Sequence, residues 1–175
     1  MTHHKTVALL VLLAVTFSAH AQTPAELAGF GWFADMAGYC WSGLHPDGKT
    51  NDVQCYSVQF GRYLRGTIKV SGPAEGEQPA VNFEGDSIYS FNAKTNRVQY
   101  TLWSSDGRYG TGEMYVEGDH AIFPPANVDS PNAMRMVWLR TDADSFVVTR
   151  EQKQAGVWKK VFEVTYRRSE AKTPG

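Results

Sequence analysis

The sequence predicts an all-β fold: an antiparallel up-and-down barrel of about nine or ten strands with one short N-terminal helix. Three observations carry this. From residue 39 to 168, short runs rich in Val, Ile, Phe, Tyr, Trp and Thr alternate with turn signals. No segment between those runs is long enough for the helical crossover that parallel strands require. Aromatic residues are abundant, with nine Phe, eight Tyr and five Trp, and they fall mainly in the strand-like runs.

Residues 1–21 read as a signal peptide. Lys5 sits in a short basic start, the apolar run Val7–Val15 follows, and Ala19-His20-Ala21 supplies the small-x-small cleavage pattern. The run is too short for a permanent membrane span, and no second apolar stretch approaches that length. The expectation is cleavage after Ala21, a periplasmic or secreted location, and no transmembrane segment afterwards. Residues 22–38 form an N-terminal helix segment. Thr23-Pro24-Ala25-Glu26 is a capping box with proline at the first helical position, Leu27, Phe30, Phe33 and Met36 supply an apolar face, and Gly38 ends it. A helix over 24–36 with such a face is expected to cover one end of the barrel.

The barrel occupies 39–168. Its strands are expected near residues 39–45, 51–60, 62–70, 81–91, 97–104, 109–116, 120–123, 133–140, 145–151 and 157–168. Clusters such as Pro46-Asp47-Gly48, Ser105-Asp106-Gly107 and Glu117-Gly118-Asp119 separate them. In the last strand the period of two puts Trp158, Phe162, Val164 and Tyr166 on one face. The run Met134-Arg135-Met136-Val137-Trp138 has apolar residues on both faces and an arginine among them. It fits a barrel with a partly polar interior and, equally, a plain core with one buried ion pair. Residues 169–175 read as a disordered tail.

Cys40 and Cys55 are the two cysteines. Asp47-Gly48 is a strong hairpin turn, and in an antiparallel hairpin centred there His45 faces Thr50, Trp41 faces Gln54 and Cys40 faces Cys55. Directly opposed strand residues have the separation a disulfide needs, so the pair is read as a structural bridge. With few histidines and no C-x-x-C spacing, no metal site is expected.

The formal charge of −1 and the lack of a basic patch argue against a nucleic-acid partner. No nucleophile, zinc or phosphate-loop motif is present, so neither catalytic residues nor a cofactor are assigned. His120 reads as a loop histidine. Glu84 and Asp86 share a strand face at the spacing of an acid–base pair, but a solvated edge suits their neighbours better. Glu113 lies among Gly110 and Gly112, which a turn or bulge explains. Aromatics are the remaining functional signal. Tyr56, Tyr89, Tyr100, Trp103, Tyr115 and Trp138 are candidate linings of an apolar cavity, with Arg65 and Arg135 as charged anchors for a ligand carboxylate. A sheltered Arg135 needs a partner, either a carboxylate such as Glu113 or the ligand itself.

Met36-Ala37-Gly38-Tyr39-Cys40-Trp41-Ser42-Gly43, Pro46-Asp47-Gly48-Lys49, Cys55-Tyr56 and Phe60-Gly61-Arg62-Tyr63-Leu64-Arg65 resemble the opening of secreted bacterial lipocalin-like proteins. The similarity continues through Tyr89-Ser90-Phe91-Asn92, Ser104-Ser105-Asp106-Gly107, Gly118-Asp119 to Phe123-Pro124, Trp138-Leu139-Arg140 and Gly156-Val157-Trp158 to Tyr166-Arg167. The resemblance implies a calycin-type antiparallel barrel with an N-terminal helix and brings no activity with it. It also implies that Trp41 packs against an arginine of the last strand, Arg167 or Arg168, although the Gly-x-Trp motif is one residue longer here. Three functions follow as expectations: a carrier or sensor for a small apolar or amphipathic molecule, an envelope protein-interaction module with a filled barrel, and an enzyme on a lipocalin-like scaffold.

Overall fold

The computed structural model describes residues 25–76 and 79–172. The expected signal peptide, the cleavage point and residues 173–175 lie outside them. An N-terminal 3₁₀ segment, Ala25–Met36, leads into ten strands. These are β1 (Tyr39–Leu44), β2 (Asn51–Gln59), β3 (Tyr63–Gly72), β4 (Val81–Asn92), β5 (Arg97–Ser104), β6 (Tyr109–Glu117), β7 (His120–Phe123), β8 (Met134–Asp142), β9 (Ser145–Gln154) and β10 (Val157–Lys172). Each strand pairs antiparallel with the next, and β10 pairs with β1 to close the barrel. Closure leaves no free sheet edge.

The first hairpin has the expected register, with Cys40 opposite Cys55 and Trp41 opposite Gln54. Asp47 organises its turn. The carboxylate accepts hydrogen bonds from the amides of Lys49 and Thr50, both 2.9 Å, and from the Thr50 hydroxyl at 2.6 Å. The Thr50 hydroxyl is the main reason the carboxyl falls to about 2, helped by the two amides. The cysteines form a disulfide on the outer face, because their neighbours Trp41 and Gln54 are buried inward.

The expected short N-terminal helix is present, and it is of the 3₁₀ type. Leu27, Phe30, Phe33 and Met36 recur every three residues. That is the 3₁₀ repeat, which aligns Leu27 with Phe30 before the kink and Phe33 with Met36 after it. All four are buried. The segment kinks at Gly31, whose φ of 54° and ψ of −142° suit a residue without a β-carbon. A β-carbon there would also lie 2.9 Å from Val116 Cγ1. An Arg140–Asp35 ion pair of 2.8 Å and a Gly38 N–H···O=C Tyr56 bond of 2.7 Å anchor the segment to the wall.

The last strand departs from the expected pattern twice. A bulge between Lys160 and Phe162 reverses the alternation. Trp158 therefore lies outside, under the Arg135 guanidinium at 4.5 Å, while Phe162, Val164 and Tyr166 point inward. The strand also continues through the expected tail to Lys172, which pairs with Tyr39. Arg168 faces Trp41 in register, but its guanidinium lies 4.4 Å over the Tyr39 ring and it pairs with Asp144. Trp41 packs on Phe146 instead, with centroids 5.3 Å apart. Arg167 sits opposite Ser42, facing outward.

Candidate functional site

Strand registers fix which side chains face the lumen. Buried Trp41, Gln54, Tyr56, Leu64, Tyr89, Val98, Met114, Trp138, Phe146, Val148, Val164 and Tyr166 set the inward parity of their strands. Ten strands enclose a wider lumen than eight, and the N-terminal segment fills one half of it. The Phe33 ring meets Tyr56 at 5.5 Å, Tyr89 at 5.3 Å, Phe123 at 6.5 Å and Trp138 at 5.5 Å. These rings come from β2, β4, β7 and β8, so Phe33 stands on the barrel axis. Trp138, Phe146 and Tyr166 continue the packing as a stack with centroids 5.2 and 4.9 Å apart. Tyr100 lies 5.8 Å from Tyr89 and 5.7 Å from Phe123. Its ring occupies the space a side chain on Gly112 would need, which accounts for that glycine better than a turn does.

A hydrogen-bonded chain runs up one wall from this plug. The Tyr56 hydroxyl donates to Gln54 Oε1 at 2.8 Å, Gln54 Nε2 donates to the Tyr166 hydroxyl at 3.1 Å, and that hydroxyl donates to Asp52 Oδ2 at 2.7 Å. His45 Nε2 lies 3.7 Å from the same Asp52 oxygen. Burial raises the Asp52 carboxyl above the ordinary carboxylate range, against the opposing effect of the Tyr166 hydrogen bond. Burial likewise pushes up the Tyr56 and Tyr166 phenols, and Tyr89 to about 12. The three phenols are therefore neutral hydrogen-bonding groups at physiological pH. Asp52 Oδ1 and Trp138 Nε1 are buried without a hydrogen-bond partner among the described residues.

Toward the other end of the barrel the inward-facing side chains are less buried. Ile68, Val70, Phe83, Leu102 and Phe162 have inward parity but are only half-buried, and Met136 is 36% exposed. Two arginines lie at this end. Arg150 stands between Met136 and Phe162 in register, its guanidinium 5.1 Å over the Phe162 ring. Arg108, from the β5–β6 turn, lies 5.3 Å over Phe83 and pairs with Asp106 at 2.6 Å. Among the described residues no carboxylate pairs with Arg150.

The eight residues expected to line a cavity divide evenly between the two faces. Tyr56, Tyr89, Tyr100 and Trp138 do meet inside, packed against Phe33 or its neighbours. Arg65, Trp103, Tyr115 and Arg135 lie outside. Arg65 donates to Asp86 through Nε at 3.0 Å, and Arg97 stacks 3.9 Å over Tyr115. Arg135 pairs with Glu151 at 2.6 Å. Neither arginine is thus a luminal anchor, and Glu113 is not the partner of Arg135. Glu113 stays on the outer face opposite Gln99. Glu84 and Asp86 are not an acid–base pair, because each is tied to its own cation, Glu84 to Lys69 at 3.0 Å and Asp86 to Arg65. His120 is exposed at the start of β7.

The outer face of β2–β5 carries a groove of about 660 Å³, bounded by Val53, Cys55, Thr67, Lys69, Glu84, Asp86 and Trp103. No group of His, Cys, Asp and Glu among the described residues could hold a metal ion. No helix among them is long and apolar enough to cross a membrane. That observation and the disulfide are compatible with an extracellular or periplasmic location. Comparison with known proteins found no matching family model and no matching curated protein.

Proposed function

We propose that this is an exported, lipocalin-like binding protein that takes a small amphipathic molecule, apolar end first, into the less buried end of its barrel, without catalysis. One observation carries the reading. Arg150 sits on an inward-facing, half-exposed apolar wall between Met136 and Phe162, with no carboxylate among the described residues paired to it. An apolar wall where Arg108 is already paired with Asp106 and Arg150 is left for a ligand suits an alkyl or aryl body carrying an anionic head. The aromatic plug limits how deep such a molecule reaches, and the chain from Tyr56 to Asp52 gives the floor a polar edge. The resemblance to lipocalin-like proteins supports the same reading.

The test is calorimetric titration with dodecanoate. Saturable binding is expected, weakened about tenfold by Arg150→Leu, the loss of one charge-assisted contact worth about 1.5–3 kcal/mol. Arg135→Leu, on the outer face, should leave affinity unchanged. Lack of saturable binding, or equal loss in both variants, rejects the reading.

A further inference from the structure

The outer groove lies on the opposite face of the sheet from the lumen. One transverse row of outward residues builds it: Cys55 opposite Thr67, Thr67 opposite Asp86, Asp86 opposite Trp103, and Trp103 opposite Tyr109. The middle of the row is small and the far end is bulky, so the sheet carries a trough ending in a ring wall. From β2 to β5 the row spans three inter-strand steps, about 14 Å at about 4.8 Å each. Trp103 and Tyr109 are 46% and 66% exposed, with ring centroids 6.0 Å apart. Both rings are accessible to solvent.

Charge decides what fits. Two ion pairs flank the row: Lys69 with Glu84 at 3.0 Å on one side, and Arg65 with Asp86 on the other. They cancel in sign, so the groove does not select an ion. The floor between the pairs is mostly apolar and the charges stand exposed beside it, so an alkyl chain would cover the floor but leave the carboxylates beside it without a ligand donor. A neutral molecule rich in hydroxyls can donate to the carboxylates, accept from the cations and stay partly hydrated in an open groove. Its C–H faces can lie on exposed aromatic rings, which join an apolar face to a polar tip. We propose that this groove binds a neutral saccharide a few rings long, with Trp103 as the stacking platform and Asp86 and Glu84 as hydroxyl acceptors.

Titration of the intact protein with cellotetraose and with maltotetraose, read by tryptophan fluorescence and calorimetry, tests this. At least one should bind saturably and perturb Trp103 emission. Trp103→Ala should lower its affinity about tenfold or more with at most a small fall in melting temperature, since nearly half of the residue is exposed and it lies outside the core. Trp103→Phe, which keeps a ring face, should recover part of the affinity. Failure of both sugars to bind overturns the proposal, as does binding that survives Trp103→Ala. A concentration-dependent dimer that shields Trp103 from an aqueous quencher also overturns it, because the groove would then be an interface between two copies. Dodecanoate binding at Arg150 is measured separately, so loss of one site does not mimic loss of the other.

Discussion

Replacing Phe33 by alanine tests the account of how the barrel is closed. Phe33 has no exposed surface and meets four rings from four strands. The rings belong to a rigid wall and cannot collapse onto the axis, so truncation should leave a cavity. Phe→Ala at a fully buried site costs about 3–5 kcal/mol. For a domain of this size each kcal/mol moves the midpoint by roughly 2–4 °C, so the melting temperature should fall by roughly 6–20 °C. Circular dichroism melts at one protein concentration measure it. A cavity lined by Tyr56, Tyr89, Phe123 and Trp138 should also accept benzene, and saturating benzene should restore part of the lost midpoint through binding to the folded state. A fall of less than about 2 °C, which corresponds to under about 1 kcal/mol, would show that Phe33 merely rests on the barrel end and that the lumen is not plugged.

Three further outcomes follow. Thiol titration of the denatured, unreduced protein should find no free sulfhydryl, and the Cys40→Ser, Cys55→Ser double variant should lose about 3 kcal/mol, the chain-entropy value for a loop of 15 residues; an unchanged denaturant midpoint would contradict it. Asp52 titrates near its ordinary 3.8 when unfolded and higher when folded. Its contribution to stability is therefore full below 3.8 and is lost as pH rises through the folded value. Asp52→Asn, which keeps an acceptor for the Tyr166 hydroxyl, should thus raise the melting temperature relative to the parent more at pH 7 than at pH 3; the reverse order would refute the sign. Asp47 behaves oppositely, since its carboxyl is lowered to about 2 by the turn it organises. The benefit of Asp47 over Asn should be present at pH 7 and disappear as pH falls toward 2, as parallel melts would show.

The hairpin register was readable because Asp47-Gly48 fixes a centre and the cysteines stand symmetrically about it. The strand order was readable because no connection is long enough for a helical crossover. The apolar face of the N-terminal segment was readable from Leu27, Phe30, Phe33 and Met36, all of them buried. Nothing local announces that Phe33 reaches the barrel axis, since only closure brings β2, β4, β7 and β8 around it. The arginines were placed on the wrong face for two reasons. Gly66, the buried neighbour of Arg65, carries no hydrophobic signal and hides the alternation of β3. Around Arg135 the inward Met134 and Met136 lie near the less buried end, while outward Val137 and Leu139 are also apolar, so the period cannot be read. The bulge at Val161 leaves no mark in composition and moves Trp158 to the outside. Asp52 and Gln54 were passed over because polar residues at alternate positions ordinarily face water. Here they form the luminal chain that ends at Tyr166. Arg150 was hidden by its polar neighbours Glu151 and Gln152, and only its register with Met136 and Phe162 reveals its face.

The most direct test of the binding site is an amide chemical-shift map of the ¹⁵N-labelled protein titrated with dodecanoate. Binding at the less buried end of the lumen predicts saturable shifts at Val70, Phe83, Leu102, Met136, Arg150 and Phe162, with Arg65 and Arg135 on the outer face unmoved. Shifts confined to the outer face, or none at ligand saturation of a control carrier, would contradict a luminal site.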